Sequence, residues 1–168
     1  MPASFAAALD RTAAALDRTV AALLALLLTA MVLAVTWQVL TREVLGDPSG
    51  WTEELARFLL IWIGLFGGAL AYRRGLHLGL DLPTGALSIL GPRVRHACVL
   101  LFAVTVLVGG GTSLVVLTAE LEQFSPALGL PMAVIYLALP LSGLFMAAFA
   151  LAALGKPDSA GASGEAAA

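Results

Sequence analysis

The stretch WTEELARFLLIWIGLFGGALAYRRGLHLGLD, Trp51 to Asp81, decides the fold of this chain. A charged entrance led by tryptophan runs into an apolar span carrying a Gly-x-x-x-Gly spacing, Gly64 to Gly68. Arg73 and Arg74 close the span, and His77 and Asp81 follow. Alone, the uncharged interval Phe58–Tyr72 would reach about 22 Å at ~1.5 Å per residue, short of the ~30 Å hydrocarbon core. The helix therefore takes in Trp51–Arg57 and draws Glu53, Glu54 and Arg57 to the edge of the bilayer. The alternative is that Trp51–Arg57 lies flat in the interface as a separate amphipathic turn.

The rest of the chain agrees with a membrane setting. Of 168 residues, 60% are hydrophobic and 12% charged, with a mean hydropathy of +0.97. A soluble domain is nearer half apolar and a quarter charged, because it must cover itself with polar groups. No basic run of five or more residues supports nucleic-acid binding. Cys98 is the single cysteine, so neither a disulfide framework nor a thiolate metal site is available. Its place within an apolar span points to a buried, inert thiol.

The fold class read from this pattern is all-α integral membrane. Four transmembrane helices are expected, at about 20–41, 52–72, 93–119 and 131–154. The echo ALDRTAA–ALDRTVA in residues 1–19 predicts a helical extension leading straight into the first span. A cleavable signal peptide fits less well, since Asp10 and Asp17 balance Arg11 and Arg18 and the apolar run is long. Pro140 falls inside the fourth span and should bend it, because proline removes a backbone donor. Asp81 is a plausible N-cap for a short interfacial helix near 83–90. Residues 20–155 thus form the membrane domain, and 156–168, rich in Gly, Ala and Ser, read as a disordered tail.

Charge sets the orientation. Arg11, Arg18, Arg73, Arg74, Arg93, Arg95 and Lys156 fall on one side of this arrangement. Glu43, Asp47, Glu53, Glu54, Glu120 and Glu122 fall on the other, with Arg42 and Arg57. Basic residues collect in the cytoplasm, so both termini are expected there.

Glu53 and Arg57 are four residues apart and Glu54 and Arg57 three, so both pairs can meet on a helix. They anchor a helix end, with Trp51 at headgroup depth, or they bond to another polypeptide. Farther along the face of Arg57 lie Gly64, Gly68 and Ala71, and small residues at this spacing let helices approach closely in lipid. Thr105, Gly109 and Ser113 repeat the device on the third span. The Gly-x-x-x-Gly is read equally as internal packing or as an intersubunit surface. His77 and His96, the two histidines, sit at a membrane margin without convergent ligands. No phosphate loop, nucleophile set or zinc spacing is present, so catalytic residues, cofactor and metal are all expected to be absent.

The order of parts in the central stretch resembles the small membrane subunit of tripartite ATP-independent periplasmic (TRAP) transporters, the DctQ-like family. The matching parts are Arg42, Trp51, Glu53-Glu54, Arg57, Trp62, Gly67-Gly68-Ala69, Arg73, His77 and Asp81. They continue with Leu128-Gly-Leu-Pro131, Tyr136 and Leu139-Pro140-Leu141, and cover roughly residues 20–155. The resemblance implies a non-catalytic scaffold in the bacterial inner membrane that binds a large multi-span permease subunit. That permease would use a sodium gradient to import an organic acid delivered by a periplasmic binding protein. Candidate intersubunit or interfacial contacts are therefore Arg42, Trp51, Glu53, Glu54, Arg57, Trp62, Gly64, Gly68, Arg73, Arg74, His77 and Asp81. A stand-alone four-helix exporter competes, yet Thr19–Thr41 lacks the embedded glutamate such proteins carry in span one. The small subunit of tripartite tricarboxylate transporters competes too, and the Trp-x-Glu-Glu stretch argues against it. A reporter active only in the cytoplasm, fused at Ala168, should be active; activity of a periplasm-specific reporter there would reverse the orientation.

Overall fold

The computed structural model describes residues 3–47, 49–75 and 92–155. The expected interfacial helix at 83–90 and the tail 156–168 lie outside these. Helix α1 runs Ala3–Glu43 and α2 Gly50–Arg73. The third span comprises α3 Pro92–Phe102, a π-helical segment Ala103–Gly110 and α4 Gly111–Glu120. The fourth comprises α5 Met132–Tyr136 and α6 Ala138–Leu154. Four helical stretches are long and apolar enough to cross a membrane: 11–43, 50–73, 94–120 and 132–154.

Trp51–Arg57 belongs to α2, as the reach argument requires, and not to a separate interfacial turn. The charged N-terminal echo continues into the first span without a break. At ~1.5 Å per residue α1 is about 60 Å long, roughly twice the hydrocarbon thickness, so part of it projects beyond the bilayer. The fourth span is interrupted at Leu137, one turn before Pro140. Proline has no N–H for the Tyr136 carbonyl, and the ladder resumes as Leu141 N donates to Leu137 O at 3.2 Å.

Val20 and Leu24 of α1, Phe66 and Leu70 of α2 and Ala138 of α6 form one buried cluster. Phe66 lies between Trp62, stacked at 5.6 Å between ring centroids, and Phe145 at 5.5 Å. A second cluster joins Ala13, Ala69, Phe149 and Ala152 nearer the α2 C-terminus. Cys98 is exposed on the bundle surface, contrary to the buried thiol read from its apolar setting. In a membrane an apolar neighbourhood can be lipid as well as protein, so hydropathy does not report burial.

Spans three and four approach so closely that two glycines have no room for a side chain. A Cβ on Gly143 would lie 2.7 Å from Leu107 Cβ, 2.9 Å from Val108 Cγ2 and 3.1 Å from Ala103 O. One on Gly111 would lie 2.8 Å from Leu139 Cβ and 3.0 Å from Pro140. The buried face of span three is therefore Ala103, Leu107 and Gly111, not the Thr105–Gly109–Ser113 stripe, which is exposed. Its four-residue spacing would drift about 40° per repeat around an α-helix. The wider π turn cancels part of that drift and keeps the three residues on the face of α6.

Gly143→Ala should destabilise the chain by roughly 1–3 kcal/mol of overpacking, less up to ~1 kcal/mol gained from helix propensity. Gly64→Ala should be neutral or slightly stabilising, since its Cβ meets nothing within 4 Å. Thermal unfolding of both variants in detergent checks the contrast; equal midpoints would contradict it.

Candidate functional site

Two ends and one open helix face carry the polar and small residues singled out in the sequence. At the first end, α2 begins with Glu53 and Glu54, about 100° apart around the axis, so one faces out and the other in. Exposed Glu53 takes Arg57 as its partner, Oε1 to Nη2 3.1 Å. Glu54 does not share Arg57 as a bonded partner, although the spacing allowed both pairs. It is buried, and its Oε2 accepts hydrogen bonds from the backbone N–H groups of Ala127 (2.9 Å) and Leu128 (3.0 Å).

The loop between spans three and four is shaped to offer these amides. Ser125 N donates to Leu130 O at 2.9 Å and Gly129 N to Ser125 O at 3.0 Å. Gly129 sits at φ +65°, where only glycine is unstrained. One carboxylate thus ties α2 to a turn more than seventy residues away. Beside it, Thr52 donates to Ser49 O at 2.8 Å, and the Ser49 hydroxyl contacts both Thr52 Oγ1 (2.6 Å) and Thr41 Oγ1 (3.4 Å). This hydroxyl chain joins the end of α1 to the start of α2. Arg42 pairs with its neighbour Glu43 at 2.9 Å and, like Trp51, is exposed.

The open face of α2 descends from Glu53 and Arg57 through Leu60 and Gly64 to Gly67 and Gly68. Cβ atoms on Gly64, Gly67 or Gly68 would meet nothing within 4 Å. Among the described residues no helix of this chain packs closely on the Gly-x-x-x-Gly. Trp62 turns inward onto Phe66 instead.

At the opposite end Arg74 grips Asp17 side-on, Nη2 to Oδ2 3.1 Å and Nε to Oδ1 3.3 Å. Arg73 lies 6.0 Å above the Phe149 ring. The Tyr72 hydroxyl and His96 Nδ1 are 2.7 Å apart. His77 and Asp81 lie outside the described residues. Asp17, the Tyr72–His96 pair and the Ala127 and Leu128 amides were not singled out in the sequence. The ALDRT echo carried a trace of the first, but backbone amides leave no residue signature at all.

With this geometry in place the chain can be set beside known proteins. Residues 31–157 match the family described as tripartite ATP-independent periplasmic transporters, DctQ component. The chain belongs to this family. The DctQ component is a membrane part of a transport system, and the chain is a multi-span inner-membrane protein. It is 34% identical over 117 residues to the sialic acid TRAP transporter small permease protein SiaQ of Vibrio cholerae, covering 67% of this chain and 65% of that protein. It is 32% identical over 101 residues to the C4-dicarboxylate TRAP transporter small permease protein DctQ of Rhodobacter capsulatus, covering 57% and 44%. The matched part therefore spans less than two thirds of either relative's length. The isethionate TRAP transporter permease protein DctMQ of Oleidesulfovibrio alaskensis is 34% identical over 101 residues, only 16% of its length.

Glu54→Ala should lower the unfolding midpoint of the purified chain clearly more than Glu53→Ala. The first removes the acceptor that ties the Ala127 and Leu128 amides to α2, whereas the second removes only an exposed ion pair. Equal midpoints would show that the loop holds its shape without the carboxylate.

Proposed function

We propose that this chain is the small, non-catalytic subunit of a TRAP transporter and scaffolds a large multi-span permease subunit. The observation that carries this reading is the open stripe on α2. Gly64, Gly67 and Gly68 leave a groove that no described part of the chain fills, beneath the exposed Glu53–Arg57 pair. In lipid, close backbone approach and interhelical polar contacts hold helices together, and this face offers both. Only 11% of the apolar window of the first span and 33% of that of the fourth are buried, so much helix surface is left for lipid or a partner.

The DctMQ relative lends support, because the stretch matching this chain lies within a much longer permease polypeptide. By analogy with the relatives' names, the solute is an organic acid. Within this reading the permease carries out sodium-coupled import, and a periplasmic binding protein delivers the solute. The Glu54 end, with Glu43, Glu53, Glu120 and Glu122, faces the periplasm. The Arg74 end and both termini face the cytoplasm, so residues 1–19 and 156–168 are cytoplasmic. A self-sufficient exporter is disfavoured by the absence of charge between Thr19 and Thr41.

Gly64→Leu and Gly68→Leu should each reduce recovery of the permease in co-purification while leaving the isolated chain's unfolding midpoint near wild type. Leu65→Ala should do the reverse, since Leu65 packs against the Phe66 cluster. Undiminished permease recovery with both leucine variants would remove this face from the interface.

A further inference from the structure

We propose that the turn between spans three and four, residues 121–131, is seated in the lipid interface, where headgroups meet acyl chains, and anchors this end of the bundle there. This inference depends neither on which side of the membrane the turn faces nor on which protein covers the glycine face. Leu121 is 58% exposed, Phe124 61% and Leu130 41%. They extend apolar surface that the spans already expose. Leu121 follows exposed Leu117 by one turn, and its N–H still donates to the Leu117 carbonyl at 3.0 Å, so the two share a helix face. On the other side Leu130 leads into exposed Val134 and Leu137 of the fourth span. The membrane-facing surface of both spans thus runs on past the helix ends into the turn.

Glu54 fixes the depth. It lies near the start of α2, and its carboxylate holds the Ala127 and Leu128 amides at 2.9 and 3.0 Å, which draws the middle of the turn to the level of that helix end. The 24 residues of α2 measure about 36 Å at ~1.5 Å each, which leaves about 3 Å beyond a ~30 Å hydrocarbon core at either end. Span four, with 23 residues, leaves no more. The turn therefore lies in the headgroup layer, level with exposed Trp51, and does not stand above it in water.

The backbone of the turn suits a place where water is scarce. The N–H groups of Glu122, Gln123 and Gly129 donate to the carbonyls of Ala119, Thr118 and Ser125, and Ser125 N donates to Leu130 O. Glu54 takes the amides of Ala127 and Leu128. Pro126 and Pro131 carry no donor. Water would serve these groups in an aqueous loop, whereas next to lipid each needs a partner in the protein. Among the described residues the Phe124 and Leu130 amides take no partner, and exposed Glu120 and Glu122 flank the turn. Those groups need water or headgroup oxygens, so they stop the turn at the boundary and keep it out of the hydrocarbon. A largely closed backbone with apolar side chains turned outward is what interfacial anchoring requires.

The full chain, with Cys98→Ser removing its native thiol, is labelled with the environment-sensitive dye NBD through Phe124→Cys or Leu130→Cys. It is placed in nanodiscs of phosphatidylglycerol and phosphatidylethanolamine. Leu33→Cys, exposed within the first span, gives the hydrocarbon reference, and the dye coupled to cysteine in buffer gives the aqueous one. Both turn positions should emit to the blue of the aqueous reference and resist quenching by iodide. Lipids carrying a doxyl group near the headgroup should quench them more than lipids labelled deep in the acyl chain, the reverse of position 33. Water-like emission with full iodide quenching at the two turn positions would overturn the proposal, and so would blue emission that neither doxyl lipid quenches. Loss of lipid quenching when the chain is purified together with a permease subunit would assign the turn to a protein contact and overturn the lipid reading.

Discussion

Apolar side chains gain little by leaving lipid for protein, so this bundle depends on close fit. The fit is close where Gly143 meets Leu107 and Val108, and where Gly111 meets Leu139 and Pro140. At neither position is there room for a Cβ. The π-helical segment keeps Ala103, Leu107 and Gly111 on one face, and the missing donor of Pro140 interrupts the opposing helix one turn earlier. Both irregularities lie at this contact between spans three and four.

Polar groups do the remaining work, and in a dry setting each must be satisfied. Among the described residues, no buried side-chain nitrogen or oxygen lacks a hydrogen-bond partner. Glu54 holds the loop between spans three and four, and the Ser49 and Thr52 hydroxyls hold the turn between spans one and two. At the far end Asp17 and Arg74 link α1 to α2 where both leave the hydrocarbon. Helices α1 and α2 are thus tied by polar contacts at both ends and packed between them.

Identical residue types serve opposite purposes in this chain. Gly111 and Gly143 disappear into a contact, whereas Gly64, Gly67 and Gly68 stand open. Glu53 and Glu54 are neighbours, yet one meets water or a partner and the other is folded under a loop. The open face and the closed one together divide the molecule into a part that packs on itself and a part left for lipid or protein.

Membrane character, four spans, the inclusion of Trp51–Arg57 in the second helix and the break near Pro140 were all legible in the sequence. These depend on length, hydropathy and backbone donors, which are local properties that the chain carries wherever it folds. The candidate site was legible only as a set of residues. Which small-residue stripe closes inward, whether Cys98 faces lipid, and whether Glu54 chooses Arg57 or two distant amides depend on which helix arrives alongside. Hydropathy cannot rank those outcomes, because lipid and protein interior are equally apolar. Only the tertiary arrangement, through steric fit and paired hydrogen bonds, distinguishes them.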